Sequence, residues 1–268
     1  MQEFILQLLW VVALQSIGIF GIFFVLGFVL SKLTGWTQKN YYQTVGWKGI
    51  LWTAWLGTPI HELSHLIFAL IFLHRIDSVS IFKPNRETNQ LGQVSHSYRR
   101  DSLYQNIGNF FIGAGPMILG SIVLVTLMYF LVPNGPEIYA FLMAKEVALD
   151  NLFKSAGGTI IMLFDKQNLD TINFWLFLYV SFCIASHMAP SLPDLKRMFF
   201  GLGLIIFILL LVNYFALILK IDFTGYILSW SNNLNILVAI FIYSIVIAFT
   251  HFVLSGIILW PIKNLLKK

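Results

Sequence analysis

From about Phe4 to Leu30 the chain carries no charged residue. A helix of that length exceeds the ~30 Å hydrocarbon core of a bilayer, so it can span with some tilt. Five further apolar runs follow, at about 49–73, 110–132, 173–189, 198–219 and 234–260. Inside hydrocarbon each such run must satisfy its own backbone hydrogen bonds, which a helix does. With 58% hydrophobic and 11% charged residues, and a mean hydropathy of +0.79, the composition lies outside the soluble globular range. The expected fold is an all-α polytopic membrane protein of about six transmembrane helices, forming one domain over residues 1–268. Met1-Gln2-Glu3 lacks a basic start and the first run is long, so it reads as an anchor and not as a cleavable signal.

Against that apolar background, Thr58-Pro59-Ile60-His61-Glu62-Leu63-Ser64-His65 is anomalous. His61 and His65 are four apart, so on a helix they share a face and can share one metal ion. Glu62 points about a quarter-turn away, within reach of a water on that metal without being a ligand. Zinc lowers the pKa of such a water from ~16 to ~7, and a carboxylate can then take its proton during attack on a carbonyl. Chance would produce this pattern about 0.002 times in a chain of this composition. Three ionisable groups in five intramembrane residues are functional by default. Pro59 removes a hydrogen bond to the carbonyl near Trp55, so a kink or opening is expected there.

A metal held by two histidines needs a third protein ligand, typically an acid. Asp194 is the candidate. It follows Pro190 and Pro193, which are expected to end the fourth run and leave the acid on irregular backbone. His187, just upstream, is a candidate outer or substrate-positioning group. His96 reads as a surface histidine and His251 as a structural one. Cys183, alone in the chain, can form no internal disulfide and reads as a small apolar residue.

Between the runs, 31–48 holds Trp36, Tyr41, Tyr42 and Trp47 and reads as an interfacial loop. Residues 77–83 and 93–98 alternate around a turn at 84–89, which predicts a β-hairpin after the second span. An edge of it facing the motif could hold an unwound substrate by strand addition. Gly113-Ala114-Gly115-Pro116 opens the third span with small residues that admit a close backbone and a proline that loosens the helix. After the third span, Ile138, Phe141, Leu142, Leu149, Leu152 and Phe153 recur at helical spacing, predicting an amphipathic helix at the interface, with a break at Gly157-Gly158.

The formal net charge of +5 reports topology and contact with anionic lipid, not nucleic acid. Six spans put both termini on one side, and that side collects ten Lys and Arg against seven. Both termini are therefore expected to be cytoplasmic, in a cytoplasmic membrane. That orientation brings the motif, Gly113–Pro116 and Asp194 to one depth.

These residues resemble the site-2 protease family of intramembrane zinc metalloproteases. The resemblance rests on His61-Glu62-Leu63-Ser64-His65, on Gly115-Pro116 and on the proline-flanked acid at 190–194, all within 49–198. It implies that His61, His65 and Asp194 bind Zn2+, that Glu62 activates water, and that a transmembrane protein or peptide is cut within or near the bilayer. Leu195 stands where the family usually has glycine after the aspartate, and the proline spacing differs. With no room for an inserted PDZ or CBS domain, the chain reads as a minimal catalytic core. Two other readings stand beside it: a zinc protease of the Glu-x-x-x-Asp type, with Glu146 as third ligand in Glu146–Asp150, and a non-catalytic metal-binding membrane scaffold. No pattern assigns an oligomeric state.

Overall fold

The computed structural model describes residues 2–144, 149–231 and 235–265. Four of its helical stretches are long and apolar enough to cross a membrane: Gln2–Val45, Leu103–Leu131, Leu192–Ile218 and Asn235–Ile262. They match the first, third, fifth and sixth expected spans. The other two expected spans do form helices, but differ. The second, α3 (Trp47–Ile71), is 25 residues long, and His61, Glu62 and His65 lower its hydropathy. The fourth, α8 (Ile172–Ala185), has only 14 residues, about 21 Å of rise against a ~30 Å core.

The first stretch is longer than its uncharged run. Helix α1 (Gln2–Ser16), a π-helical turn at Ile17–Gly21 and α2 (Ile22–Val45) follow one another without a break. The expected interfacial loop at 31–48 is therefore helix as far as Val45. The reason is a buried stripe, Leu30, Leu33, Thr34, Thr37 and Thr44, on a helix that packs along α11 (Asn235–Leu265). Gly46 ends α2 at φ +71°, a value that favours glycine, and α3 starts at the next residue.

Helix α3 runs through Pro59 as one element and leads into the predicted hairpin. Strands β1 (Arg75–Ser80) and β2 (Gln93–Ser97) pair antiparallel, with Val79 opposite Val94 and an irregularity between Ile76 and Ser78. Helix α4 (Leu103–Leu131) then passes through the middle of the molecule, against α3, α8, α9 (Leu192–Ile218) and α11. In its most apolar window 61% of residues are buried, against 11% for Gln2–Val45, which separates central from peripheral helices.

The expected amphipathic helix is two helices, α5 (Gly135–Met143) and α6 (Leu149–Leu163). Residues 145–148 lie outside the described residues. Ile138 and Leu142 face inward: both are fully buried in the main core with Leu124, Met128, Phe174 and Tyr243. The expected break at Gly157-Gly158 is absent, because α6 continues through both glycines. Short α7 (Lys166–Leu169) leads to α8, and α10 (Phe223–Ser231) lies between α9 and α11. Trp10, Phe130, Phe153, Ile172 and Phe215 stay exposed, apolar surface of the kind that faces lipid.

Candidate metal centre

The geometry begins with two backbone carbonyls. His61 Nδ1 donates to the His187 carbonyl at 2.6 Å, and His65 Nδ1 donates to the Ile112 carbonyl at 2.9 Å. A carbonyl only accepts, so each ring carries its proton on Nδ1 and presents a bare lone pair at Nε2. Those two Nε2 atoms lie 3.1 Å apart. Facing lone pairs cannot bond each other, but they can share a cation.

Both carbonyls are free for physical reasons. Within α4 the Ile112 carbonyl would normally accept from residue 116, but that residue is Pro116 and has no N–H. The Gly113–Pro116 segment thus does more than admit a neighbour; its proline releases the acceptor that orients His65. His187 lies just beyond the end of α8, where carbonyls have no helical partner.

Asp194 completes the cluster. It does not sit on irregular backbone, as the two prolines suggested. Pro193 begins α9 in its first turn, where a proline is tolerated, and Asp194 is the third residue of that helix. Ser191 caps the helix: its N–H and hydroxyl donate to Asp194 Oδ2 at 2.9 and 2.5 Å. Oδ1 is left facing His65 Nε2 at 3.3 Å, while Oδ2 lies 3.7 Å from His61 Nε2. Gly113 lets the two helices meet here, since a Cβ on it would strike the Asp194 carbonyl. One ligand atom from each of His61, His65 and Asp194 lies within 4.8 Å of the others. Bare acceptors at that separation, two of them held by outer hydrogen bonds, fit a metal ion.

Glu62 is buried beside the cluster and lines the same cavity, about 690 Å³ in volume. The roof is the hairpin tip, residues 88–94. Gly92 is so close that a Cβ there would meet Glu62 Cγ at 2.8 Å. The hairpin therefore does face the motif. The far wall is α2, through Ser31, Thr34, Gly35 and Gln38, and Gln38 also donates to the Ser186 carbonyl at 2.6 Å. Reading 31–48 as a loop hid this wall, although the polar positions 31, 34 and 38 have helical spacing. Thr58 also lines the cavity, and its Oγ1 is buried with no hydrogen-bond partner.

His187 meets the cavity too, its ring 3.1 Å from Thr53 Oγ1. Its carbonyl, which no side-chain pattern could flag, does the orienting of His61. His251 is structural as expected, bonded to Ser186 and Tyr41 and stacked on Phe182 at 4.4 Å. Cys183 is buried and apolar in role. Glu146 lies outside the described residues.

His96 is not the surface histidine its loop suggested. It is half-buried between the hairpin and α9. Arg197 Nη1 donates to His96 Nε2 at 3.1 Å, which fixes the His96 proton on Nδ1. That proton is donated to His74 Nδ1 at 2.9 Å, and His74 Nε2 in turn donates to the Gln105 carbonyl at 2.8 Å. Burial, then the adjacent Arg197 and His74, pushes His96 down to about 4. Burial likewise lowers His74. Both rings are therefore neutral at pH 7, as the directional chain requires.

No protein-family model matches the chain, and no curated protein or solved structure matches it.

Proposed function

We propose that the chain is an intramembrane zinc peptidase that hydrolyses peptide bonds of transmembrane proteins within or near the bilayer, in the manner of the site-2 proteases it resembles. In this reading α3 and α8 complete six crossings, with both termini cytoplasmic. The observation that carries it is the pairing of a cation site with a spare acid. His61 Nε2, His65 Nε2 and an Asp194 oxygen converge without a donor between them, and Glu62, not needed for binding, stands beside them in a cavity of about 690 Å³.

When bound, zinc supplies Lewis-acid polarisation and acidifies water. The chain's own residues supply the rest. Glu62 accepts the proton of the attacking water and returns it to the amide nitrogen as the carbon–nitrogen bond breaks. The Ile112 and His187 carbonyls keep both histidines in the ligating tautomer. The hairpin tip covers Glu62.

The test is elemental analysis and peptidase assay on detergent-purified wild type, Asp194→Ala and Glu62→Gln. We expect near one zinc per chain in wild type and Glu62→Gln, little in Asp194→Ala, and a loss of cleavage in Glu62→Gln of about 10²–10⁴-fold. Zinc indifferent to Asp194 would remove this ligand set. Full activity in a zinc-loaded Glu62→Gln would favour a metal-binding scaffold.

A further inference from the structure

Among the described residues, Arg197 is the one Lys or Arg that lines the cavity. It sits on α9 three residues beyond Asp194, one helical turn along the same face. Asp194 is turned to the histidines and not to this neighbouring arginine. Among the described residues no carboxylate lies within 4 Å of Arg197. Its one hydrogen bond among the described residues is to His96. A half-buried guanidinium with five donors, one of them used, has a fork shaped for a carboxylate.

The chain Arg197→His96→His74→Gln105 carbonyl makes this placement deliberate in a physical sense. Each link in it runs one way, from Arg197 to His96 to His74 to the carbonyl, so the guanidinium is held by one N–H and its other donors are left for a ligand. The remaining lining is uncharged apart from Glu62 and Asp194. Away from the metal ligands, Arg197 is the one described lining side chain whose charge would attract an acidic peptide side chain. One turn of helix is ~5 Å, and an extended peptide advances ~3.3 Å per residue. The charge thus shares a cavity wall with Asp194, one turn along α9, on the scale of a residue or two of extended peptide.

We propose that Arg197 is a specificity-determining residue that takes a carboxylate of the peptide substrate beside the scissile bond, with His96 and His74 as positioning residues. This rests on the peptidase reading. A carboxylate can come from an Asp or Glu side chain or from a free C-terminus, and the experiment separates the two.

The probes are fluorogenic transmembrane peptides in zwitterionic nanodiscs, made as twins with Asp or Asn at each position near the cut, and with a free or amidated C-terminus. Wild type is expected to cut the Asp twin at one or two positions with about 10-fold higher kcat/KM, the size of one charge-assisted pair. If the free C-terminus is the ligand, the preference follows amidation instead. Arg197→Gln should bring the ratio to about 1 while keeping its zinc, which shows that the variant is folded. Arg197→Glu should favour Lys twins. His96→Gln, which keeps an acceptor, should retain the preference, and His96→Leu should lose it mainly through KM. Cleavage by wild type with no difference between twins or termini overturns the proposal and leaves the peptidase reading intact. So does a result in which Arg197→Gln changes only binding to anionic-lipid nanodiscs, which would make lipid phosphate the ligand. No cleavage of any peptide by zinc-loaded wild type removes both.

Discussion

Helix α9 carries two buried polar clusters, 19 positions or about 28 Å apart, and they are built on opposite principles. At Asn213 every amide hydrogen is spent. Gln15 Nε2 donates to Asn213 Oδ1 and Thr224 Oγ1, and Asn213 Nδ2 donates to Gln15 Oε1 and the Leu209 carbonyl. The cluster closes on itself and ties α1, α9 and α10 together. At Asp194 the hydrogen bonds run outward instead, to Ser191, Ile112 and His187, and what faces inward is a set of acceptors without donors. Burial alone therefore does not mark a site. A closed network in an apolar helix is a clamp, whereas a convergence of bare acceptors needs something brought from outside.

The largest expected contrast is in metal binding. Asp194→Ala should lower metal affinity by more than about 100-fold, beyond the ~10–100-fold cost of losing an outer partner. Asn213→Leu should leave zinc per chain unchanged. Competition with a chelator reads both, and equal losses would erase the distinction. A subtler break is Pro116→Ala. It restores an N–H to compete for the Ile112 carbonyl, which can accept two bonds, so the His65 tether weakens and is not lost. We expect about 10-fold weaker metal binding together with a more stable α4, since the helix regains a bond. A stability gain with unchanged affinity would show that the carbonyl does not orient His65.

At the clamp the readout is stability. Gln15→Leu strands buried groups on Asn213 and should cost about 1–3 kcal/mol in detergent unfolding, while Gln15→Leu with Asn213→Leu should recover much of it. A double variant no better than the single would mean the pair is not closed. The smallest effect is expected at the hairpin. His96 is faced by Arg197 and His74, with His65 more distant and Asp77 pulling the other way. Its value in the closed state, about 4, lies below the ordinary ~6.5, so the open state binds more protons between those values. Closure should therefore weaken as pH falls from 6.5 towards 4 and change little below. Distances between spin labels on β2 and α9 would report this, and a His96→Gln variant should keep only the smaller pH response due to His74.

Much of this site was legible before any fold was known, and the reasons are local. The four-residue spacing of His61 and His65 puts them on one face of any helix. Alternation around Pro84–Asn89 makes a hairpin wherever it lies. The sequence also pointed to Asp194, because two histidines lack a third ligand, but misjudged its backbone: Pro193 starts α9 and does not unwind α8. Reading aromatics at 31–48 as an interfacial loop failed because α2 packs along α11, with Trp36 on Phe252, Asn40 bonded to Ser255 and Tyr41 to His251, contacts across more than 200 residues with no local signature.

By itself, then, the sequence determined what depends on near neighbours: apolar lengths that suit a bilayer, the paired histidines, the acid between them and the turn that makes a roof. Only the tertiary structure decided which distant groups complete the centre. The Ile112 and His187 carbonyls, the α2 wall and the bond from Arg197 to His96 join positions 47 to more than 150 residues apart. A backbone carbonyl has no residue type to announce it, and a guanidinium shows its free edge only once every nearby carboxylate has been assigned elsewhere.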